Sequence, residues 1–469
     1  MEVLQGIYIF ILNPIGCALI KIPEKVKDVF IGICFAALFA IQVFRYSRVL
    51  IWEGGNIDHT EQSVMGCVLL LLILILSIKV PLRKMKVNRI LSYLWLLCAA
   101  IMIAVSFIHP VGNGIRAMAL SMIVAFPCFW FIWCNRGDLE KVFELASKGI
   151  AWFGCAYLMY CLLFIDYNDA QLNGRYIGST LNPNNLGFIC AAVLVASLYL
   201  IIYNKKYSII YSVTGGLACM VTMMTVSRTT MLCDIVIIGV FIVFYIKTKI
   251  ICNNDKKKDV IKLIVTITIL CAFSFAVVII NSNSIDSTEV SSIKTMNSYM
   301  LTAANEQTQE SVSDSGDKLA LDRLSKKQTS DIDSMSSGRT IIWQEYLKSM
   351  NLIGHDGNKL LYIEGYGSRQ WAHNTALEIG YRTGVVNGII FFVIEIIAGL
   401  YALKFTFSRK CMKPYHLFSA MSIVGFCIYS VLEVVIFPFF APPVFLFFIG
   451  IGPLFFKTDS RREQHQHAS

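Results

Sequence analysis

Charge is scarce in this chain: of 469 residues only 15% are Asp, Glu, Lys or Arg, against 56% hydrophobic residues. A soluble domain of this length cannot hide that much apolar surface, so the composition does not suit a water-soluble protein. Clustered cysteines are lacking as well. The 15 cysteines scatter mainly through apolar runs and lysine-bearing loops, with no zinc or redox spacing and none between residues 281 and 374. Structural disulfides are therefore not expected in that hydrophilic stretch. No glycine-rich phosphate loop is present, and the polar loops read as lacking clustered aspartates or an Asp-x-Asp pair, the carboxylates that a metal-dependent sugar-nucleotide transferase needs. The N-terminal apolar run has neither a basic leader nor a convincing small-residue cleavage site, so no removable signal peptide is expected.

What is present is a series of apolar runs of roughly bilayer length. They lie near 29–44, 63–81, 90–109, 114–134, 149–167, 184–204, 207–227, 229–249, 260–280, 384–404, 415–437 and 441–457. A shorter run, 6–20, contains Pro14 and is either a further span or a segment lying in the interface. The expected fold is all-α, a polytopic integral membrane protein of about 12–13 transmembrane helices. Residues 1–280 form the N-terminal transmembrane bundle, 281–374 a large extracytoplasmic loop, 375–457 the C-terminal transmembrane helices and 458–469 a cytoplasmic tail.

Lysine sets the orientation, because short cytoplasmic loops retain it. The loops "KIPEKVKD", "PLRKMKVNR", "NKKYS", "KTKIICNNDKKKDVIK" and "KFTFSRKCMK" all fall on one side when the spans alternate. That side is assigned to the cytoplasm, so the protein is expected in the plasma membrane and the net charge of +10 reflects topology. No nucleic-acid partner is needed to explain it. Short loops on the opposite side carry arginine without lysine: Arg45, Arg48, Arg175 and Arg228, with Arg116 at the same level. Positive charge there runs against the usual bias and calls for a reason.

The large loop changes character along its length. Residues 282–337 are rich in Ser, Thr, Asn, Gln and Asp and read as solvated. From Ser336 the stretch "SSGRTIIWQEYLKSM" predicts an amphipathic surface helix, with apolar Ile342, Tyr346, Leu347 and Met350 and a stop at Gly354. Then "EGYGSRQWAHN" turns at Gly365 and Gly367 and re-enters the membrane, which puts His373 at the outer mouth of a helix. Arg175, Arg228, Arg339 and His373 thus gather on one side, with Asn184 and Asn374 as neutral hydrogen-bonding groups. Guanidinium forks match phosphate oxygens in pairs and keep their charge, so they point to an anionic ligand. A lipid-linked diphosphate lies at this depth, and histidine exchanges a proton near neutral pH. His59, His109 and His355 read as plain surface histidines.

Four carboxylates lie in or near the spans: Asp234, Glu378, Glu395 and Glu433. A charge at a helix centre costs roughly 3 kcal/mol on insertion scales, so each needs a partner or a wet cavity. Glu378 and Glu433 are near the outer end, where Arg382 is a candidate partner. These groups support a rival reading, a polysaccharide-lipid flippase or proton-coupled transporter. Most spans nevertheless have no charge at mid-depth, and the unusual polar groups gather at one surface.

The ordered motifs "NGRYIGSTLNPNNLG", "SRTTML", "SGRTIIW", "GYG" and "HN", with Gly384 ten residues beyond Asn374, resemble the O-antigen ligase and polymerase superfamily over most of residues 170–400. One departure is Asn387 followed by Gly388, where the motif usually carries a small or β-branched residue. The resemblance implies a GT-C-type membrane glycosyltransferase in which a loop histidine and outward arginines are the catalytic and diphosphate-binding groups. By match, these are His373 with Asn374, Arg339, Arg175 and Arg228. The expected function is polymerisation of polyprenyl-diphosphate-linked oligosaccharide repeat units into a surface polysaccharide on the outer membrane face, with no metal and no cofactor. His373, Arg339 and Arg175 are expected to be catalytic, and Arg228, Asn374, Asn184 and Glu378 to bind substrate, Asn374 or Glu378 also supporting the imidazole. Expected partners are the lipid-linked oligosaccharide, the bilayer, and flippase and chain-length regulator proteins. The alternatives are ligation of the glycan to a lipid, protein or wall acceptor, or transport.

Overall fold

The computed structural model describes residues 1–47, 59–109, 111–167, 169–172, 174–251, 256–284, 339–356, 359–363, 367–369, 371–408 and 413–456. Arg48, most of the expected solvated stretch and the tail lie outside these residues. Among them, eleven helices are long and apolar enough to cross a membrane, and two shorter apolar helices, Glu61–Ser77 and Pro442–Phe455, accompany them. This fits a multi-pass membrane protein. Large apolar side chains on the flanks, such as Phe10 at 82% exposure and Phe107 at 86%, suit hydrocarbon rather than water.

Helix α1 (Glu2–Leu19) precedes α2 (Glu24–Arg45), α3 (His59–Ser77) and α4 (Arg89–Ile108). The next span is built from α5 (Asn113–Leu120), a π-helical turn (Ser121–Ala125) and α6 (Phe126–Arg136). Then come α7 (Leu139–Phe164), the hairpin of β1 (Gln171–Leu172) and β2 (Arg175–Tyr176), α8 (Pro183–Tyr203), α9 (Ser208–Thr225), α10 (Arg228–Tyr245) and α11 (Lys256–Ser284). Beyond the large loop follow α12 (Arg339–Ser349), β3 (Leu361–Ile363), β4 (Gly367–Arg369), α13 (Thr375–Thr383), α14 (Val385–Phe407), α15 (Pro414–Leu432), α16 (Pro442–Gly450) and α17 (Gly452–Phe455).

Helix α8 is apolar on every side, and such a helix belongs in the middle of a bundle. Of its 21 residues 18 are buried. Small residues let its neighbours approach: a Cβ on Gly187 would stand 2.1 Å from Thr230 Oγ1 of α10. Aromatic contacts close the remaining space, with Phe143 stacked on Phe418 at 4.4 Å and Trp130 on Phe455 at 4.3 Å.

The lysine-bearing loops share one end. Arg83 N–H donates to Asn135 Oδ1 at 2.8 Å, Asn88 N–H to the Phe455 carbonyl at 2.8 Å, and Lys262 Nζ to the Ile201 carbonyl at 2.8 Å. Both ends of α1 stay near this end, along the linker between α3 and α4. Glu2 pairs with Arg89, Gln5 exchanges hydrogen bonds with the Met85 backbone, and Asn13 accepts from Leu82 N–H. Of the two readings of 6–20, these contacts favour a helix lying along the lysine-rich end.

The opposite end carries Arg45, Arg175, Arg228 and Arg339. Ser47 bridges Thr180 there, and Arg45 donates to Gln62. The surface helix expected here is described from Arg339 as α12, with Ile342 and Tyr346 buried, whereas Leu347, expected on its apolar face, is exposed. With Ile363, Ala372 and Tyr381 they make a small second core over the bundle. The chain does not pass directly from His373 into a span. Helix α13 intervenes and is broken from α14 at Gly384, whose φ is +97° and whose added Cβ would meet the Leu352 carbonyl at 2.1 Å. Only glycine fits that backbone and that contact.

Candidate functional site at the arginine-bearing end

Three of the helices that begin at this end carry a side-chain cap. Asn182 accepts from Asn184 N–H at the start of α8, Ser227 from Thr230 N–H at the start of α10, and Asn374 from Leu377 N–H at the start of α13. Helix N-termini carry partial positive charge and favour anions. Asn184, beside the first cap, and His373, beside the third, converge on one carboxylate, Glu433, at the end of α15, and Ser227 joins them through Asn184.

Glu433 is buried and takes three donors. Its Oε1 accepts from Asn184 Nδ2 at 2.9 Å and from Arg339 Nη2 at 2.7 Å, while Oε2 stands 3.3 Å from His373 Nδ1. The Glu433 carbonyl also accepts from Thr375 Oγ1 at 3.2 Å, which fixes α15 to α13. A carboxylate only accepts, so the facing Nδ1 carries the proton and Nε2 is left as the basic atom of a neutral His373. His373 has a φ of +50°, unusual for a non-glycine residue. Such strain costs of order 1 kcal/mol and concentrates at functional positions.

Asn184 extends the network. Its Oδ1 accepts from Ser227 Oγ at 2.9 Å and from Arg175 Nη2 at 3.4 Å. Arg175 Nε donates to the Thr225 carbonyl at 2.9 Å, so its guanidinium is oriented by the α9–α10 turn and the cap of α8 together. Arg228 is exposed on the first turn of α10, one residue from Ser227. The expected residues Arg175, Asn184, Arg339 and His373 are thus joined through Glu433 or through Asn184, and Arg228 borders them.

Two expected substrate-binding residues take structural places. Asn374 caps α13 and donates to the Val431 carbonyl at 3.3 Å. Glu378 is fully buried; Arg382 Nε donates to its Oε1 and Ala372 N–H to its Oε2 at 2.8 Å. Burial lifts the Glu378 carboxyl above its usual range, against the pull of Arg382 and the Ala372 amide. Glu378 therefore acts on the site by holding the turn before His373. Of the candidate partners for Arg382, Glu378 takes the ion pair, and the Arg382 guanidinium also lies over Trp371 at 4.8 Å.

Histidines read as surface residues prove to be braces. His355 Nδ1 lies 2.9 Å from the Tyr381 carbonyl and its ring stacks on Tyr381 at 4.2 Å. His109 Nε2 lies 2.7 Å from the Ile353 carbonyl. They hold the loop after α12 against the bundle. His59 begins α3, and its side chain lies outside the described residues.

Among the described residues no group of three or more His, Cys, Asp or Glu is arranged to hold a metal. The reading that the polar loops lack clustered carboxylates needs one correction: Asp331 and Asp333 form an Asp-x-Asp pair. That pair lies outside the described residues. No protein-family model matches the chain, no curated protein matches its sequence and no solved structure matches its fold.

Proposed function

We propose that this protein is a membrane glycosyltransferase that polymerises polyprenyl-diphosphate-linked oligosaccharide repeat units on the extracytoplasmic face. The observation that carries the proposal is the Glu433 cluster, which ties a histidine to two strands of cationic support. An acceptor hydroxyl attacks the anomeric carbon of the donor, and the bond from that carbon to the diphosphate oxygen breaks. The hydroxyl proton passes to His373 Nε2, and the diphosphate leaves on its lipid. Glu433 stabilises the imidazolium that forms, as the carboxylate does in other carboxylate–histidine pairs. Negative charge grows on the departing diphosphate, and Arg175, Arg228, Arg339 and the three helix N-termini supply preorganised positive potential there. Hydrogen bonds that orient the guanidinium groups in advance lower the reorganisation needed in the transition state.

Purified protein given only lipid-linked repeat units should produce a ladder of longer lipid-linked chains. A requirement for a separate lipid, protein or wall acceptor would make it a ligase. Passage of intact substrate across vesicles without bond formation would make it a flippase.

A further inference from the structure

We propose that a groove between α2 and α7, at the lysine-rich end, is a lateral binding site for a membrane phospholipid with a monoanionic phosphate head. It is far from the Glu433 cluster in the sense that α2 and α7 both start at this end and run away from it. The groove encloses about 560 Å³, within the range of small-ligand pockets. Lys25, Asp28, Lys141 and Lys148 line its polar part, and Val29, Ile33, Leu145 and Trp152 its apolar part. The two helices touch where Gly149 meets Gly32 and Ala36: a Cβ on Gly149 would stand 2.7 Å from the Ala36 nitrogen. Val29, Ile33 and Trp152 are each more than half exposed beside that crossing, on the flank that suits hydrocarbon.

The charges identify the ligand. Lys141 pairs with Asp28 at 3.3 Å and with Glu144 at 3.1 Å, and Lys148 pairs with Glu144 as well. Three lysines thus face two carboxylates. Lys25 is exposed and, among the described residues, has no ion pair, so one positive charge is uncompensated. Lys141 and Lys148 share the single Glu144 carboxylate, so Lys148, on the lipid-facing flank, has only part of a counter-charge. Charge on such a flank is costly unless it is fully paired. A phosphate at the headgroup level, with acyl chains running down over Val29, Ile33 and Trp152, meets both the charge and the apolar wall. A zwitterionic head brings its own cation and gains less.

Gly32 offers a direct test, because its Cβ position has no atom within 4 Å and opens into the groove. The full-length protein is extracted in mild detergent, titrated with phosphatidylglycerol, phosphatidylcholine or a polyprenyl phosphate, and bound lipid is counted by native mass spectrometry. Wild type should retain one phosphatidylglycerol in preference to phosphatidylcholine. Gly32→Leu should lose it while its thermal midpoint stays near wild type. Lys25→Gln with Lys148→Gln should weaken retention by about fivefold per lysine, which corresponds to about 1 kcal/mol for each basic residue near an anionic head. Equal retention of the two diacyl lipids, unchanged binding in Gly32→Leu, or stronger retention of the polyprenyl phosphate overturns the assignment. Should Gly32→Leu unfold, the lysine variants decide the matter by the same headgroup comparison.

Discussion

Glu433→Gln tests the centre of the site with little change in shape. The carboxylate accepts from Asn184, Arg339 and His373 through both oxygens. A carboxamide has one accepting oxygen, so its NH₂ must face either the Asn184 and Arg339 donors or the protonated Nδ1 of His373. Hydrogen bonds to charged groups contribute about 1.5–3 kcal/mol. The Arg339 and His373 side chains are 21% and 38% exposed, so water offsets part of the loss. We expect stability to fall by about 2 kcal/mol, which leaves most of the protein folded. Activity should fall much further, by about 10²-fold or more, because general-base assistance alone is worth about 10²–10⁴ in rate. The assay is single-turnover extension of lipid-linked repeat units by purified variant in proteoliposomes, beside a thermal melt. A folded Glu433→Gln enzyme working at the wild-type rate refutes the reasoning, since the hub would then be only a structural tie.

The remaining predictions concern neighbouring residues. His373→Ala and His373→Gly should both abolish extension, and the glycine variant should melt no lower than the alanine one because glycine accepts the positive φ; a large fall in the melting temperature of His373→Gly alone would contradict the strain argument. Gly384→Ala should cost several kcal/mol at the α13–α14 junction, from a Cβ 2.1 Å from the Leu352 carbonyl and an unfavourable φ, so a thermal midpoint equal to wild type tells against the docked loop. Arg339→Lys keeps the charge, loses the planar fork and should lose most activity, while wild type should keep working in excess EDTA. Loss on chelation restored by magnesium or manganese would transfer the role to a metal and direct attention to Asp331 and Asp333.

The spans were legible because lipid dictates their length: the runs expected at 184–204 and 207–227 correspond to Pro183–Tyr203 and Ser208–Thr225. Helix α7 starts ten residues before its expected run because "LEKVFELASK" is charged, and Lys141, Glu144 and Lys148 pair with Asp28 and with one another at the lysine-rich end. The Glu378–Arg382 pair could be read from i,i+4 spacing. The role of Glu433 could not. Its partners Asn184, Arg339 and His373 are brought to it by the packing of α8, α12 and α13 around α15, with Asn184 249 residues away in the chain. A carboxylate at the end of an apolar span signals that a partner exists, and sequence alone leaves that partner open. The separation of α13 from α14 rests on a positive φ at Gly384, which a glycine permits without announcing.

The central claim is that this site breaks the bond between a glycan and its lipid diphosphate. Its most direct measurement is the amount of free polyprenyl diphosphate released when proteoliposomes are given lipid-linked repeat units in one turnover. The account predicts one lipid diphosphate released for each new glycosidic bond by wild type, and neither product from His373→Ala. Release and bond formation at the wild-type rate by that variant, or binding of the donor by wild type with no lipid diphosphate released, would contradict it.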